Sequence, residues 1–262
     1  MERSDDVLIV GGGVVGLACA LSLLEAGRGV RILEAGSVGC GSSHGNCGTI
    51  TPSHAAPLAA PGAVGKALGW MFTPDAPFYV KPRLDPVLWR WMLGFAWRCN
   101  PNDWRRAMAA RAGMLQASRQ ALEEWMSRFG LDCEFEASGV DYVYRSERDL
   151  LAFEHEAGDL RALGIDVDII DGPTYLRGEP ALRDGVAGVV RFPGDARLRP
   201  DRYVAELARV VRAAGGVIEE NCAVQAINPD ANGVAVSTAR GSFHGQDLVL
   251  AAGSWSPAVG RS

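Results

Sequence analysis

Lysine is almost missing from this sequence: only Lys66 and Lys81 occur, so arginine carries nearly all the positive charge. With 26 basic against 31 acidic residues the formal net charge is −5, which leaves no broad basic field for nucleic acid. Histidine is sparse as well, four residues scattered without the spacing a metal site needs. The six cysteines (19, 40, 47, 99, 133 and 222) form no CxxC pair, which points to reduced thiols in a cytoplasmic protein rather than to a disulfide framework. Internal repeats, low-complexity tracts and an obvious linker are all lacking. So is any Ser-His-Asp arrangement or paired-carboxylate motif.

Charge itself is missing from Val7 to Leu24, a length at which a membrane span or a signal-peptide core has to be considered. The flank argues against both, because Glu2, Asp5 and Asp6 are acidic where a signal peptide is basic. Four glycines within the run also suit a loop better than a spanning helix. What remains is an ordinary globular composition, 48% hydrophobic and 22% charged, in a chain long enough for one large domain or two intertwined ones.

Read as secondary structure, the uncharged run has a definite order. Val7–Val10 is a wholly apolar strand of the kind buried on both faces. Gly11-x-Gly13-x-x-Gly16 follows at once, then a helix from Val14 to Ala26 closed by Gly27, then a strand Val30–Leu33 ending at Glu34. In such a βαβ unit Gly11 permits the tight turn, Gly13 leaves room for a pyrophosphate, and Gly16 lets helix and strand pack closely. The helix start offers N–H groups and a positive dipole to that pyrophosphate, and Glu34 can accept from a ribose diol. The pattern is therefore a dinucleotide-binding one.

Small residues dominate from Ala35 to Ile50, so backbone there can lie against a ligand. Ser42, Ser43, Asn46 and Thr49 supply donors and acceptors for phosphate and sugar oxygens. A nicotinamide enzyme needs no such stretch after its ribose ligand, whereas a longer cofactor would use one. A plain surface loop is the alternative.

Residues 51–86 are rich in proline and glycine and read as irregular, with one short helix near Lys66–Met71. Over Asp85–Cys99, Leu88, Trp91, Met92 and Phe95 share one helical face. Four of the seven tryptophans (89, 91, 97 and 104) lie within 89–104, interleaved with Arg90, Arg98, Arg105 and Arg106. Two readings compete: an amphipathic patch on a membrane interface, or a helix packed under the cofactor region with its arginines reaching water. The pattern alone favours the second.

Further on, a long helix is expected over Asn102–Phe129, weakened or broken at Gly113 and ended by Gly130. Glu134–Glu136 and Asp141–Arg145 read as two short strands around Ser138-Gly139, Arg148–Ala162 as helix, and Asp166–Ile170 and Ala187–Phe192 as strands. Their short connections predict an antiparallel sheet in a second domain. From Pro200 the α/β grammar returns, with a helix presenting Val204, Leu207, Ala208 and Val211, then Gly215-Gly216 and a strand at Val217-Ile218. A hairpin over Cys222–Ile227 and Gly233–Ser237 is followed by a buried strand Asp247–Ala251 running into Ala252-Gly253-Ser-Trp255.

Taken together, GGGVVG, Glu34, the Gly41–Gly48 stretch and Leu250–Trp255 resemble the FAD-dependent D-amino-acid oxidase superfamily. Gly45–Gly62, Gly69–Phe72 and Trp89–Cys99 are similar to its D-amino-acid dehydrogenases. The resemblance implies an α/β fold: a Rossmann-like FAD-binding domain from 1–50 and 195–262, and a partial α+β substrate domain with an antiparallel sheet over 51–194. It also implies that the chain stops short of the family's length at its C-terminus. Cofactor contacts would come from Val10, Gly11, Gly12, Gly13, Val14, Val15 and Gly16, then Glu34 and Ala35. Gly41, Ser42, Ser43, Asn46, Cys47, Gly48, Thr49 and Ile50 would follow, and then Val224, Ala251, Ala252, Gly253 and Trp255. FAD would be held non-covalently, since His44 sits one place from the histidine some relatives use for attachment. His44 and His54 are expected to order their loop rather than to catalyse.

The implied reaction oxidises a D-amino acid to its imino acid by hydride transfer to flavin, with hydrolysis to a 2-oxo acid and ammonia. Electrons would pass to a quinone-type acceptor, which would place the protein in the cytoplasm or peripherally on the inner face of the bacterial plasma membrane. A non-catalytic FAD-binding chain that needs a second subunit, and a nicotinamide dehydrogenase, are the competing readings. The catalytic residues and the arginine for a substrate carboxylate are left open.

Overall fold

Four apolar residues fully buried in a row, Val7 to Val10, mark the centre of the structure, a computed structural model that describes residues 4–70, 83–231 and 233–261. They end strand β1 (Ser4–Val10), which is followed by helix α1 (Val14–Glu25) and strand β2 (Val30–Leu33). Ala26 caps α1 and Gly27 follows at φ +77°, the left-handed conformation that favours glycine.

In chain order come β3 (Thr49–Ile50), α2 (Ala63–Trp70), α3 (Pro86–Arg98), α4 (Pro101–Phe129), β4 (Val140–Tyr144), α5 (Glu147–Ala162) and β5 (Asp168–Asp171). Next are α6 (Gly172–Gly178), β6 (Gly188–Phe192), β7 (Ala196–Arg197), α7 (Pro200–Ala213) and β8 (Val217–Glu219). β9 (Val224–Asp230), β10 (Gly233–Thr238), β11 (Gly241–Leu250) and α8 (Ser256–Val259) complete the described chain.

The six-stranded sheet runs β8-β2-β1-β11-β10-β9, parallel from β8 to β11 and antiparallel through the β11-β10-β9 meander. On one face α1 and α7 bury Leu17, Leu21, Leu207 and Val211 against Val7, Ile9 and Ile32. On the other, Leu8 and Leu33 meet Val234 and Val236 of β10. Arg31 on β2 is nearly fully buried and ion-paired to Asp5 (2.7 Å) and Glu219 (2.7 Å), which ties three adjacent parallel strands together.

The chain divides into two compact units, residues 1–49, 124–136 and 197–262, and residues 50–123 and 137–196. The segment 124–136, which the sequence reading places in the second region, clusters with the first. The second unit holds the antiparallel sheet β4-β6-β5. Its core joins Trp104, Met108 and Ala112 of α4 to Ala157 and Leu160 of α5 and to Val190 and Phe192 of β6.

Several expectations change. α4 runs straight through Gly113, because Met108, Ala112 and Leu122 are buried on one side and their packing outweighs the roughly 1 kcal/mol a mid-helix glycine costs. Glu134–Glu136 forms no hairpin with β4: Glu134 sits at φ +50°, which ends extended pairing, and Glu136 bridges to Arg197 instead. The strand expected at Asp247 begins at Gly241, and its end is not buried, Leu250 being 38% exposed where it opens on a cavity. α6, capped by Asp171, carries no periodic apolar pattern and was not expected. α2 begins at Ala63, and Met71, read as its end, lies outside the described residues.

α3 also departs from the favoured reading. It belongs to the second unit and buries none of its side chains fully. Its apolar residues surround the helix, so Leu88, Met92 and Phe95 are half-buried while the opposite side stays exposed.

Candidate functional site

The candidate site is built at the carboxyl ends of β2, β1 and β11, where ligands of open parallel sheets bind. β1 runs out into Gly11, which sits at φ +109°, and a Cβ there would lie 2.5 Å from the Ala251 carbonyl oxygen. A Cβ on Gly16 would penetrate the Gly11 carbonyl. The turn between β1 and α1 therefore closes only with glycine at both places. α1 starts at Gly13, which has no side chain for capping, and no acidic residue follows in its first turn. Ser43 Oγ accepts the Val14 N–H at 3.0 Å. The other N–H groups of that first turn have no partner within the helix, and the turn itself carries no acidic side chain against the positive end of its dipole.

Glu34 is held from two sides. Its Oε2 accepts the Gly12 N–H at 2.6 Å and its Oε1 accepts the Gly36 N–H at 2.9 Å, while its backbone pairs with Glu219 and Cys222. Each carboxylate oxygen keeps a further lone pair for a hydroxyl. The side chain is thus oriented in advance at the tip of β2.

These groups open on a cavity of about 770 Å³, inside the roughly 300–1,000 Å³ range of ligand pockets. Val10, Gly11, Gly13, Val14 and Val15 line it from β1 and α1, and Glu34 and Ala35 from the end of β2. Gly41, Ser42 and Ser43 line it from the next loop. Val224 comes from the start of β9, and Ala251, Ala252, Gly253 and Trp255 from the segment after β11. All of these belong to the first compact unit.

Other residues read from the sequence lie off the lining. Gly12 and Gly16 shape the turn through their backbone. Asn46 braces the loop, its Nδ2 donating to Ser42 O and Ser43 O at 3.1 Å and its Oδ1 accepting the Gly48 N–H at 2.8 Å. Gly48 sits at φ +66° with its backbone against Leu198. The Thr49 hydroxyl lies 3.5 Å from the Cys47 thiol and holds it below the usual thiol range. Ile50 falls in the second unit.

The sequence reading missed Leu33, Gly36, Gly39 and Cys40, although they lie inside or beside the stretches it singled out. It also missed Ala223, Leu250, Ser256 and Val259. Nothing in the sequence marks the last two, which reach the cavity because a short 3-10 turn at Gly253–Trp255 feeds straight into α8.

A different kind of polar cluster occupies the second unit. Asp195 is 1% exposed and accepts from the Ser53 N–H at 3.1 Å and from Ser53 Oγ at 2.6 Å. Burial pushes its carboxyl upward, against the pull of the two Ser53 hydrogen bonds. His54 is hydrogen-bonded through Nε2 to Tyr142 Oη, and its Nδ1 lies 3.4 Å from Thr51 Oγ1. Its carbonyl accepts from Arg111 at 2.9 Å. These contacts order the loop, the part expected of this histidine. Among the described residues no cluster of histidine, cysteine or acidic side chains could hold a metal, and no helix is long and apolar enough to cross a membrane.

A parallel sheet, a glycine-built helix start and an acidic residue closing the second strand together define a Rossmann-like dinucleotide-binding fold. The chain belongs to the FAD dependent oxidoreductase family, which it matches over residues 6–262. Among curated proteins it is 31% identical over 258 residues to a D-amino acid dehydrogenase of Cereibacter sphaeroides, covering 97% of this chain and 59% of that one. It is 32% identical over 264 residues to a D-amino acid dehydrogenase of Methylobacterium radiotolerans, covering 97% and 62%. The chain thus spans about three fifths of the length of these relatives. Among solved structures it resembles glycine oxidase from Geobacillus kaustophilus at a TM-score of 0.73 and 22% identity, covering 99% of this chain and 58% of that one. L-amino acid deaminase from Proteus myxofaciens gives 0.70 at 18% identity, covering 99% and 48%. At those identities the likeness shows the fold.

Proposed function

We propose that this chain binds FAD in the 770 Å³ cavity and serves oxidation of the CH–NH2 group of D-amino acids. The observation that carries the first half is the pairing of an α1 start whose glycine N-cap offers no side chain, with only Ser43 accepting one of its N–H groups, with a pre-oriented Glu34 carboxylate on one cavity. The fit is stereochemical as well as electrostatic: at Gly11 and Gly16 a Cβ would collide with backbone, so the cradle keeps its shape only as glycine. The first turn of α1 would face the pyrophosphate, Glu34 would accept from the adenosine ribose hydroxyls, and Ser42 and Ser43 would offer hydroxyls along the same wall.

The relatives named D-amino acid dehydrogenase support the second half. When bound, FAD supplies the two-electron acceptor for the α-hydrogen. This chain's residues bind and orient the cofactor, and the imino acid released would hydrolyse to a 2-oxo acid and ammonia. Electrons would leave to a quinone-type acceptor.

The test is the visible absorption spectrum of the purified chain, before and after adding FAD and then, without oxygen, D-alanine. A flavin spectrum that bleaches supports both halves. Flavin that binds without bleaching leaves a cofactor-binding chain that needs a second subunit for turnover. Failure to take up FAD overturns the reading.

A further inference from the structure

β2 and β11 are not neighbours: β1 lies between them, which sets their ends roughly 10 Å apart. The loop after β2 and the segment after β11 nevertheless meet, and Trp255 makes the connection. A Cβ on Gly41 would lie 3.8 Å from Cζ3 of Trp255, so the far edge of the indole rests against the backbone of the opposite wall. Both residues line the cavity and belong to the first compact unit. Between them lie Val10, Gly11, Gly13 and Val14, at the end of β1 and the start of α1. The ring therefore crosses above the turn that joins β1 to α1.

This crossbar is weakly held. Trp255 is 61% exposed, and its indole makes no hydrogen bond and stacks on no other ring among the described residues. Two residues earlier Gly253 sits at φ +56°, with nothing within 4 Å of the place a Cβ would occupy. The turn that bears the ring has room to swing there. Trp255 is also the one aromatic side chain on the cavity among the described residues, and its neighbours Ala251, Ala252 and Gly253 are too short to reach across.

The shape of the ligand gives the bar its meaning. On the flavin reading, on which this inference rests, the pyrophosphate lies at the start of α1, beneath the ring. FAD is thin at that pyrophosphate and carries a broad flat ring system at each end. Neither end can thread under a closed bar, and once the cofactor is seated neither can slide out.

We propose that Trp255 is a gate on the cavity, swinging out about Gly253 to admit FAD and closing against Gly41 to keep it. The role differs from that of a wall contact, because a gate slows entry and exit alike while a contact slows exit alone.

The experiment is stopped-flow fluorescence anisotropy of FAD mixed with the 262-residue chain, with release followed on dilution. Expected for Trp255→Ala is about ten-fold faster association and about ten-fold faster release, with the equilibrium constant nearly unchanged. Trp255→Phe keeps an aromatic ring but loses the outer ring atoms that reach Gly41, and should also quicken association. Trp255 is exposed, so both variants should unfold thermally as the parent does. Faster release with unchanged association in Trp255→Ala would overturn the gate and leave the ring a contact. So would association by Trp255→Phe at the parent's rate. FAD taken up by the parent at rates that neither variant alters would overturn the gate alone. No uptake by the parent would overturn the flavin reading and the gate with it.

Discussion

The two compact units spend their polar groups in opposite ways. In the first, the groups that matter are backbone N–H donors at the start of α1 and one carboxylate, Glu34, all facing a cavity. In the second, Asp195 and Ser53 turn on each other in the interior, and His54 is bonded to Tyr142 within the same unit. A ligand site keeps capacity unspent; a structural cluster saturates it. Helix starts repeat the difference, since Asp85, Ser146 and Asp171 cap α3, α5 and α6 by side-chain hydrogen bonds whereas no side chain of its N-cap residue caps α1.

The strongest way to break the comparison is Gly16→Val. The added carbons have no room against the Gly11 carbonyl, so flavin uptake should vanish and stability fall by about 3 kcal/mol. Flavin absorbance and denaturant unfolding measure the two. Next is Asp195→Ala, which strands two buried Ser53 donors at a cost of about 2 kcal/mol but should leave FAD affinity unchanged. An equal drop in FAD affinity would show that the two clusters act as one. Glu34→Gln should weaken FAD binding about ten-fold by equilibrium titration, because a carboxylamide accepts only weakly from a ribose diol and must place an NH2 toward one of two backbone donors. Ser43→Ala removes one acceptor at the α1 start and should cost about 1 kcal/mol in unfolding experiments.

Acidity gives a further contrast. Asp195 has its folded pKa raised by burial, so its contribution is complete below the unfolded aspartate value and is lost as pH rises through the raised one. Asp201, at the start of α7 beside Arg199, is lowered to about 2, so its contribution is present above the unfolded value and lost as pH falls toward 2. In unfolding experiments across acidic pH, Asp195→Asn should flatten the first slope and Asp201→Asn the second.

How much of this could be read in the sequence depends on what each element rests on. β1, α1, β2 and Glu34 were legible because local pattern and final packing agree: the apolar run is buried, the glycines turn, and the acidic residue stands at a strand end. α4 through Gly113 was not, because long-range burial of Met108, Ala112 and Leu122 overrides a local breaker. The Ser53–Asp195 pair joins residues far apart in the chain, and no spacing announces it. Ser256 and Val259 reach the cavity through the turn after β11, which only the fold supplies.

β11 carries a consequence for biosynthesis. β1 lies between β2 and β11, its residue Val7 opposite Asp247 and Val10 opposite Leu250. Residues made first therefore wait for some of the last before the centre of the sheet can close. Until Leu250 has left the ribosome, β1 keeps one open edge of unpaired backbone beside the most apolar segment of the chain. That edge is an adhesive strip for any neighbouring strand. A nascent chain of this topology is one for which a chaperone that shields the early βαβ unit would raise the yield of folded protein.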